Sequence, residues 1–285
     1  MSDLCKNPPA GVLNDKKLYV FDMDGTIYLG KIVFDFAIRF IDHLRASGRR
    51  VLFFTNNASH STEFYVGKLS RLGFGPTPEE IMTSGDVTVA FLKSRCPGRK
   101  VYLVGTEQLC DHFRGAGIDL INGHEDEYDT VDIVVSSFDT ELTYHKLDAA
   151  CRLIRNGAVY LCTHPDFNCP TETGFIPDSG AIAAFITAST GVTPRYLGKP
   201  YAEVVDMIEE VTGVGRDEIC VFGDRLYTDI ALGSRNGVTS VLVLTGETRE
   251  EDIPNAPADQ QPAMVYDSLA VVDQAMFGTK TDLHS

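Results

Sequence analysis

Short apolar runs alternate with longer stretches of helical periodicity along most of the chain. Residues 17–21 (KLYVF) form an apolar run that stops abruptly at acidic residues, and its length and composition predict a buried strand. Apolar positions then recur at helical spacing over residues 34–47, Gly48 follows as a candidate helix terminator, and residues 51–55 (VLFFT) are the next predicted strand. A strand, a helix and a second strand in this order indicate a βαβ unit, and hence a parallel sheet.

The same alternation continues to the end of the chain and predicts an α/β fold. Residues 1–15 contain two consecutive prolines and are predicted to form a loose arm. Polar residues follow strand ends in the first and last parts of the chain, whereas residues 84–187 carry few of them outside a loop at residues 163–173. We therefore predict a catalytic core of residues 1–83 and 188–285 with an inserted, smaller α/β domain at residues 84–187. Further strands are predicted at residues 101–105, 133–136, 158–162, 195–197, 219–223 and 240–244.

Composition and charge limit the kinds of molecule that the protein is expected to bind and the compartment in which it is expected to lie. The formal net charge of -15 argues against nucleic-acid binding, because a phosphate backbone would be repelled from most of the surface. A small phosphorylated substrate remains compatible with this charge if its pocket is locally positive. The seven cysteines form no C-x-x-C pair, which favours a reducing, cytoplasmic compartment. No apolar run has the length of a signal peptide or a membrane span, so we expect no membrane association.

The segment Asp22-Met23-Asp24-Gly25-Thr26 is the sharpest chemical signal. Two carboxylates two residues apart at a strand end can divide the work, one as a nucleophile and the other as a proton donor and acceptor. Gly25 allows the chain to turn sharply away. Taken alone, such a segment is more often a solvated acidic turn, but the apolar run before it and the polar residues that follow along the chain favour catalysis.

Other polar residues follow in an order that suits phosphoryl chemistry. Thr55 ends a predicted strand, and its hydroxyl could hold a phosphoryl oxygen, although Thr-Asn-Asn alone is also an ordinary turn. Lys199 could neutralise a phosphate pocket, or be a surface lysine. Asp224 and Asp229 bracket the loop after a strand, and their hard oxygen atoms suit magnesium.

In combination these motifs resemble the haloacid dehalogenase (HAD) superfamily, and within it the subclass IIA phosphatases that are p-nitrophenyl-phosphatase-like or NagD-like. Such proteins have a Rossmann-like core with a parallel sheet and an inserted C2-type α/β cap. The resemblance is carried by VFDMDGTIYLG at 20–30, FFTNNAS at 53–59, THPDFNCPTETGFIPDSGAI at 163–182, LGKP at 197–200 and VFGDRLYTDIALG at 221–233.

The resemblance implies a magnesium-dependent phosphatase of small phosphomonoesters that works through an aspartyl-phosphate. Each motif supplies residues for one step or one ligand of this reaction. The implied roles are Asp22 as nucleophile, Asp24 as general acid and base, Thr55, Asn56 and Asn57 as phosphate-binding residues, Lys199 as the lysine that steadies phosphate and nucleophile, Asp22, Asp24 (through its carbonyl) and Asp224 as Mg²⁺ ligands, and Asp229 as a support behind the metal.

The resemblance also implies that the cap shapes the leaving-group pocket, with Asn168 and Cys169 as candidate substrate contacts, and that the protein is a homodimer through its cap. Sugar phosphates, phosphoglycolate, glycerol phosphate, pyridoxal phosphate and nucleotides are all substrate classes of similar proteins. A phosphomutase or phosphonatase on the same core, a receiver-type regulator and a catalytically silent module that binds phospho-ligands are the alternatives. Asp24 and the large insertion argue against the regulator, which needs neither.

Overall fold

The computed structural model describes residues 6–171 and 174–278. These residues form two compact units. The first unit contains the described residues up to 54, residues 66–81 and the described residues from 200 onward, and the second contains residues 55–65 and 82–199.

The described strands are mostly short and follow the chain in fifteen segments. They are β1 (Leu18–Phe21), β2 (Tyr28–Leu29), β3 (Ile32–Val33), β4 (Arg50–Thr55), β5 (Ile81–Thr83), β6 (Lys100–Val104), β7 (Asp119–Leu120), β8 (Ile133–Ser136), β9 (Val159–Cys162), β10 (Asn168–Thr171), β11 (Gly174–Pro177), β12 (Arg195–Tyr196), β13 (Ile219–Gly223), β14 (Thr239–Val243) and β15 (Met264–Tyr266).

Nine α-helices are found in the same described residues. They are α1 (Asp35–Ala46), α2 (Thr62–Arg71), α3 (Ser84–Arg95), α4 (Glu107–Gly115), α5 (Tyr144–Arg155), α6 (Ser179–Thr190), α7 (Ala202–Thr212), α8 (Ala231–Asn236) and α9 (Leu269–Phe277). A π-helical turn at Leu226–Ile230 precedes α8. Within the described residues, no helix is both long enough and apolar enough to cross a bilayer.

A six-stranded sheet with the order β15-β14-β13-β1-β4-β5 forms the centre of the first unit. β1 is buried along its whole length and pairs in parallel with β13 and β4. The rings of Phe21 and Phe222 stack at 4.9 Å at the ends of β1 and β13, and Phe40 of α1 packs edge-on against Phe222 at 6.0 Å. Full burial of such a side chain contributes about 1.5–3 kcal/mol. This packing fixes the two strand ends from which the acidic residues emerge.

The second unit contains a five-stranded sheet with the order β12-β9-β8-β6-β7, and its described pairings are all parallel. All four residues of β8 are buried at its centre. A separate antiparallel hairpin pairs β10 with β11, with Cys169 opposite Ile176. Helix α6 starts after this hairpin at Asp178, whose side chain caps it by accepting a hydrogen bond from Ser179 N. The predicted α/β fold with parallel sheets is confirmed.

The sequence-based domain bounds and the structural units differ in extent. The insertion was predicted at residues 84–187, whereas the second unit reaches residue 199 and includes residues 55–65. The reason for the later end is β12, a two-residue strand that pairs with β9 of the second sheet. Sequence periodicity could not assign so short a strand to either sheet.

The prediction of a loose arm at residues 1–15 is wrong for its described part. Leu13 is completely buried within a 3₁₀ turn at Gly11–Asp15, and the Tyr19 hydroxyl donates a hydrogen bond to its carbonyl. Lys16 Nζ donates to the Asp217 carbonyl at 2.5 Å. Residues 1–5 lie outside the described residues. The buried Leu13 and these hydrogen bonds hold the segment, and the sequence pattern does not reveal such tertiary contacts.

Candidate active site

Three carboxylates meet at the carboxyl ends of β1 and β13 in the first unit. Asp22 directly follows β1, Asp224 directly follows β13, and Asp229 lies in the π-helical turn beyond. One oxygen from each of the three side chains lies within 4.8 Å of the others. Asp224 and Asp229 are 2% and 1% exposed, whereas Asp22 is only partly buried. Asp22 is therefore the member of the cluster that an incoming molecule can reach.

Glycines let the backbone approach these carboxylates closely. Gly25 has a φ of +86°, which is in the left-handed region, and a Cβ there would overlap the Asp224 carboxylate. A Cβ at Gly246 would overlap the same carboxylate. Because the backbone at Gly246 lies so close, the next residue can bind the carboxylate, and Glu247 N donates to Asp224 Oδ2 at 2.7 Å. Asp224 is thus held in one orientation by the chain around it.

The Arg225 guanidinium and the Glu247 N–H offset only part of the charge of the buried Asp224 carboxylate. Burial, followed by the nearby charges of Asp22 and Asp229, raises the pKa of Asp224 to about 8. Its buried Oδ1 has no hydrogen-bond partner among the described residues. A buried carboxylate oxygen without a donor, beside two further carboxylates, is the environment that a hard divalent cation would complete. The residues present therefore fit a magnesium ion.

Asp24 occupies a turn rather than the carboxylate cluster. Gly25 N donates to the Tyr28 carbonyl at 2.7 Å, and Thr245 Oγ1 donates to the Gly25 carbonyl at 2.7 Å. Burial raises the pKa of Asp24 above its ordinary value, while the Lys68 ammonium and a hydrogen bond from the Gly30 backbone oppose the shift. A carboxyl group that keeps its proton more readily than usual is suited to give it to a leaving group.

The residues after β4 belong to the second unit and form a tight polar turn. Thr55 ends β4, and its Oγ1 accepts a hydrogen bond from Asn57 N at 3.2 Å. Asn57 Oδ1 in turn accepts from Ser59 N at 3.0 Å. The Asn56 side chain binds the backbone of Lys199, which is 3% exposed. The structure thus brings two of the predicted site residues, Asn56 and Lys199, into direct contact across the sequence.

The segment predicted as a loop at residues 163–173 contains the first strand of the β10–β11 hairpin. Asn168 is exposed and Cys169 is partly exposed on β10. The last two residues of the segment, Glu172 and Thr173, lie outside the described residues. A hairpin holds side chains more firmly than a free loop, because the backbone is paired.

Several residues that lie close to the predicted site residues were not identified from the sequence. Lys68 donates to the Tyr28 hydroxyl at 2.8 Å, and its charge acts on Asp24. Gly246 lies against Asp224 but follows β14 without a recognisable motif. Three further polar side chains in the second unit, His164, Asp166 and Asp178, lie close to one another. The sequence signals for His164 and Asp166 suggested only turn formation.

Family models match both ends of the chain. A model described as haloacid dehalogenase-like hydrolase matches residues 19–119, and a HAD-hydrolase-like model matches residues 196–272. Among curated proteins, the chain is similar to the acid sugar phosphatase of Staphylococcus aureus. The two are 37% identical over 239 residues, which cover 84% of this chain and 90% of that protein.

Solved structures give a matching result. A crystal structure of 4-nitrophenylphosphatase from Thermotoga maritima is similar with a TM-score of 0.86 and 39% identity, and the match covers 93% of this chain and 99% of that one. The glycerol phosphate phosphatase from Mycobacterium tuberculosis in complex with magnesium is similar with a TM-score of 0.83 and 30% identity, covering 92% of this chain and 77% of that one.

Proposed function

Because the chain belongs to the haloacid dehalogenase-like hydrolases and is a phosphatase, we propose that it hydrolyses small phosphomonoesters with magnesium through a phosphorylated Asp22. The observation that carries this proposal is the cluster of Asp22, Asp224 and Asp229 at adjacent strand ends. Only Asp22 of the three is partly exposed, as a nucleophile must be, while the other two are buried and held by the backbone.

Magnesium is proposed to be held by the carboxylates of Asp22 and Asp224 and by the Asp24 carbonyl, with Asp229 supporting them. When bound, the ion would neutralise carboxylate charge and stabilise negative charge on the phosphoryl oxygens. The unpartnered Asp224 Oδ1 supports this assignment.

The remaining residues are assigned from the family motifs and from their environments. Asp24 donates a proton to the leaving oxygen and then accepts one from the attacking water, so that the same group serves both halves of the reaction. The Thr55 hydroxyl and the backbone N–H groups that follow it, at Asn56 and Asn57, bind phosphoryl oxygens, and Lys199 supplies a fixed positive charge. Burial of Lys199 supports its role, because a buried ammonium needs a negative partner.

The proposed substrates are small phosphorylated metabolites, with sugar phosphates and glycerol phosphate as the first classes to test. The activities of the relatives from S. aureus and M. tuberculosis support this choice. A phosphate-release screen over a metabolite panel with magnesium, run beside p-nitrophenyl phosphate, tests it. Release from p-nitrophenyl phosphate alone would contradict a metabolite phosphatase of these classes. The homodimer through the cap and the cytoplasmic location also remain proposals.

Loss of one carboxylate is expected to separate metal binding from folding. Asp224→Asn should raise the Tm of the metal-free protein near pH 7, because it removes a carboxyl group whose pKa burial and two neighbouring carboxylates raise in the folded state. It should also abolish the rise in Tm that magnesium gives the wild type. Differential scanning fluorimetry with and without Mg²⁺ measures both effects. Asp42→Asn, on the exposed face of α1, is the control and should retain the magnesium effect.

The same metal site predicts how activity responds to other ions. Chelator should abolish turnover and calcium should inhibit, because calcium takes more oxygen ligands at longer distances and would occupy the Asp22 carboxylate. Full activity in excess chelator would exclude the proposed metal dependence.

Substitutions in the β10–β11 hairpin are expected to change substrate preference. Asn168→Ala and Cys169→Ala should shift kcat/KM between substrates by ~1–3 kcal/mol where a polar contact to the leaving group is lost. p-Nitrophenyl phosphate should be affected least, since it offers few polar groups. Asn156→Ala, at an exposed position after α5, should leave the ratios unchanged. If both hairpin variants scale all substrates equally, specificity does not depend on these side chains.

A further inference from the structure

The Asn56 side chain connects Lys199 to a third residue, Asp166, within the second unit. Asn56 Oδ1 accepts a hydrogen bond from Lys199 N at 2.9 Å, and Asn56 Nδ2 donates to the Lys199 carbonyl at 3.1 Å. The same Nδ2 donates to Asp166 Oδ2 at 3.2 Å. Three segments that are distant in sequence thus meet at one amide group.

These contacts allow only one orientation of the Asn56 amide. A backbone N–H can only donate, so the atom facing Lys199 N must be the amide oxygen. A carbonyl and a carboxylate can only accept, so the atom facing Lys199 O and Asp166 must be the amide nitrogen. Both N–H groups of that nitrogen then have an acceptor. Asp166 accordingly supports the same orientation of the Asn56 amide that the two backbone groups of Lys199 require.

Asp166 is itself fixed by the start of α6. Gly180 N donates to the Asp166 carbonyl at 2.8 Å, and Asp178 N donates to the Phe167 carbonyl at 3.0 Å. A Cβ at Gly180 would lie only 2.9 Å from the Asp166 carbonyl oxygen, so this approach requires glycine. On the other side, a Cβ at Gly198 would lie 2.8 Å from Asn56 Oδ1. The backbone of Asp166 and the side-chain amide of Asn56 therefore both lie against closely packed backbone.

We propose that Asp166 is a positioning residue for the phosphatase, acting through the Asn56 amide to hold the backbone of Lys199. The proposal rests on the role of Lys199 in the proposed function. Lys199 is 3% exposed, so surrounding atoms restrict its side chain, and the place of its Cα influences where its ammonium lies. A displaced Cα moves the charge away from where phosphoryl oxygens need it, and a misplacement of about 1 Å can cost about 10²-fold in rate. Asp166 makes no contact with substrate in this role.

Two variants of Asp166 test the proposal by two independent readouts. Asp166→Ala removes the acceptor, and should lower kcat for p-nitrophenyl phosphate by up to about 10²-fold with a smaller change in KM. Asp166→Asn keeps an oxygen that can accept from Asn56, and should restore most of kcat. Hydrogen exchange followed by mass spectrometry should show faster exchange of the Lys199 amide in Asp166→Ala and near-normal exchange in Asp166→Asn.

A double-mutant cycle and a matched control separate positioning from general destabilisation. Once Asn56→Ala is present, adding Asp166→Ala should lower kcat no further, because Asp166 acts only through Asn56. Asp132→Ala is the control. Asp132 is also a half-buried aspartate of the second unit that accepts from a backbone N–H, at the amino end of β8, and its loss should leave kcat and Lys199 exchange unchanged.

Each other outcome overturns the proposal in a distinct way. Unchanged kcat in Asp166→Ala, or losses that multiply in the double variant, would exclude positioning through Asn56. Lower kcat with normal Lys199 exchange would assign Asp166 to direct substrate contact instead. A wild type that releases no phosphate would overturn the proposed function, and the exchange measurement would still decide whether Asp166 holds Lys199. If Asp166→Ala does not fold, Asp166→Leu, whose side chain also offers no acceptor, serves in both readouts.

Discussion

Asp22→Asn is expected to reduce turnover by about 10⁴-fold or more, because loss of a nucleophile leaves only the catalysis that positioning and charge provide. The amide has nearly the shape of the carboxylate and removes one of three close negative charges, so the fold should be retained or slightly stabilised. Phosphate release under saturating substrate and magnesium measures the loss. Circular dichroism and Tm confirm that the variant is folded.

A second measurement distinguishes a missing nucleophile from a damaged metal site. Acid-quenched wild type should retain label from a ³²P-labelled substrate, and Asp22→Asn should retain none. Asp42→Asn, the exposed control on α1, should be labelled like the wild type. Label retained by Asp22→Asn at the wild-type level would show that another side chain is phosphorylated.

The parts of the fold that depend on local pattern could be predicted from the sequence. β1 and β13 are continuous apolar runs, and β13 was predicted with its observed bounds, Ile219–Gly223. α1 has the expected amphipathic face, and Gly48 after it has a φ of +78°, as a glycine that terminates a helix requires. Because Asp22 and Asp224 directly follow such strands, the sequence placed both at the same edge of a parallel sheet, and the structure shows that the two strands are neighbours.

The parts that depend on contacts between distant segments could not be predicted. Lys68 is one of two basic residues in the last turn of α2, and nothing in the sequence distinguishes it from a surface lysine. Only the tertiary structure places its charge near Asp24. Gly246 follows β14 in an ordinary turn sequence, and its closeness to Asp224 comes from the sheet order. The sequence around Asp166 suggested only a turn, whereas its carboxylate accepts a hydrogen bond from the side-chain amide of Asn56, 110 positions earlier. Periodicity contains no information on such pairings.

The role of Asp24 can be separated from that of Asp22 through the leaving group. Its environment differs from that of the cluster, since it sits in a turn where burial raises its pKa and Lys68 opposes the shift. Asp24→Asn removes the proton that the leaving oxygen needs, and general acid catalysis typically supplies ~10²–10⁴-fold. An alkyl phosphate should lose the full factor, whereas p-nitrophenyl phosphate, whose leaving group is stable as an anion, should lose much less in the first step.

The comparison of the two substrates in one variant is its own control, because any damage to folding or metal binding affects both equally. kcat/KM for glycerol phosphate and for p-nitrophenyl phosphate should therefore be measured on the same preparation, together with label retention after acid quench. Since Asp24 also activates water in the second step, label should accumulate on Asp22 with the aryl substrate. Equal losses for both substrates, with no accumulated label, would remove Asp24 from the acid–base role and leave it as a structural member of the turn.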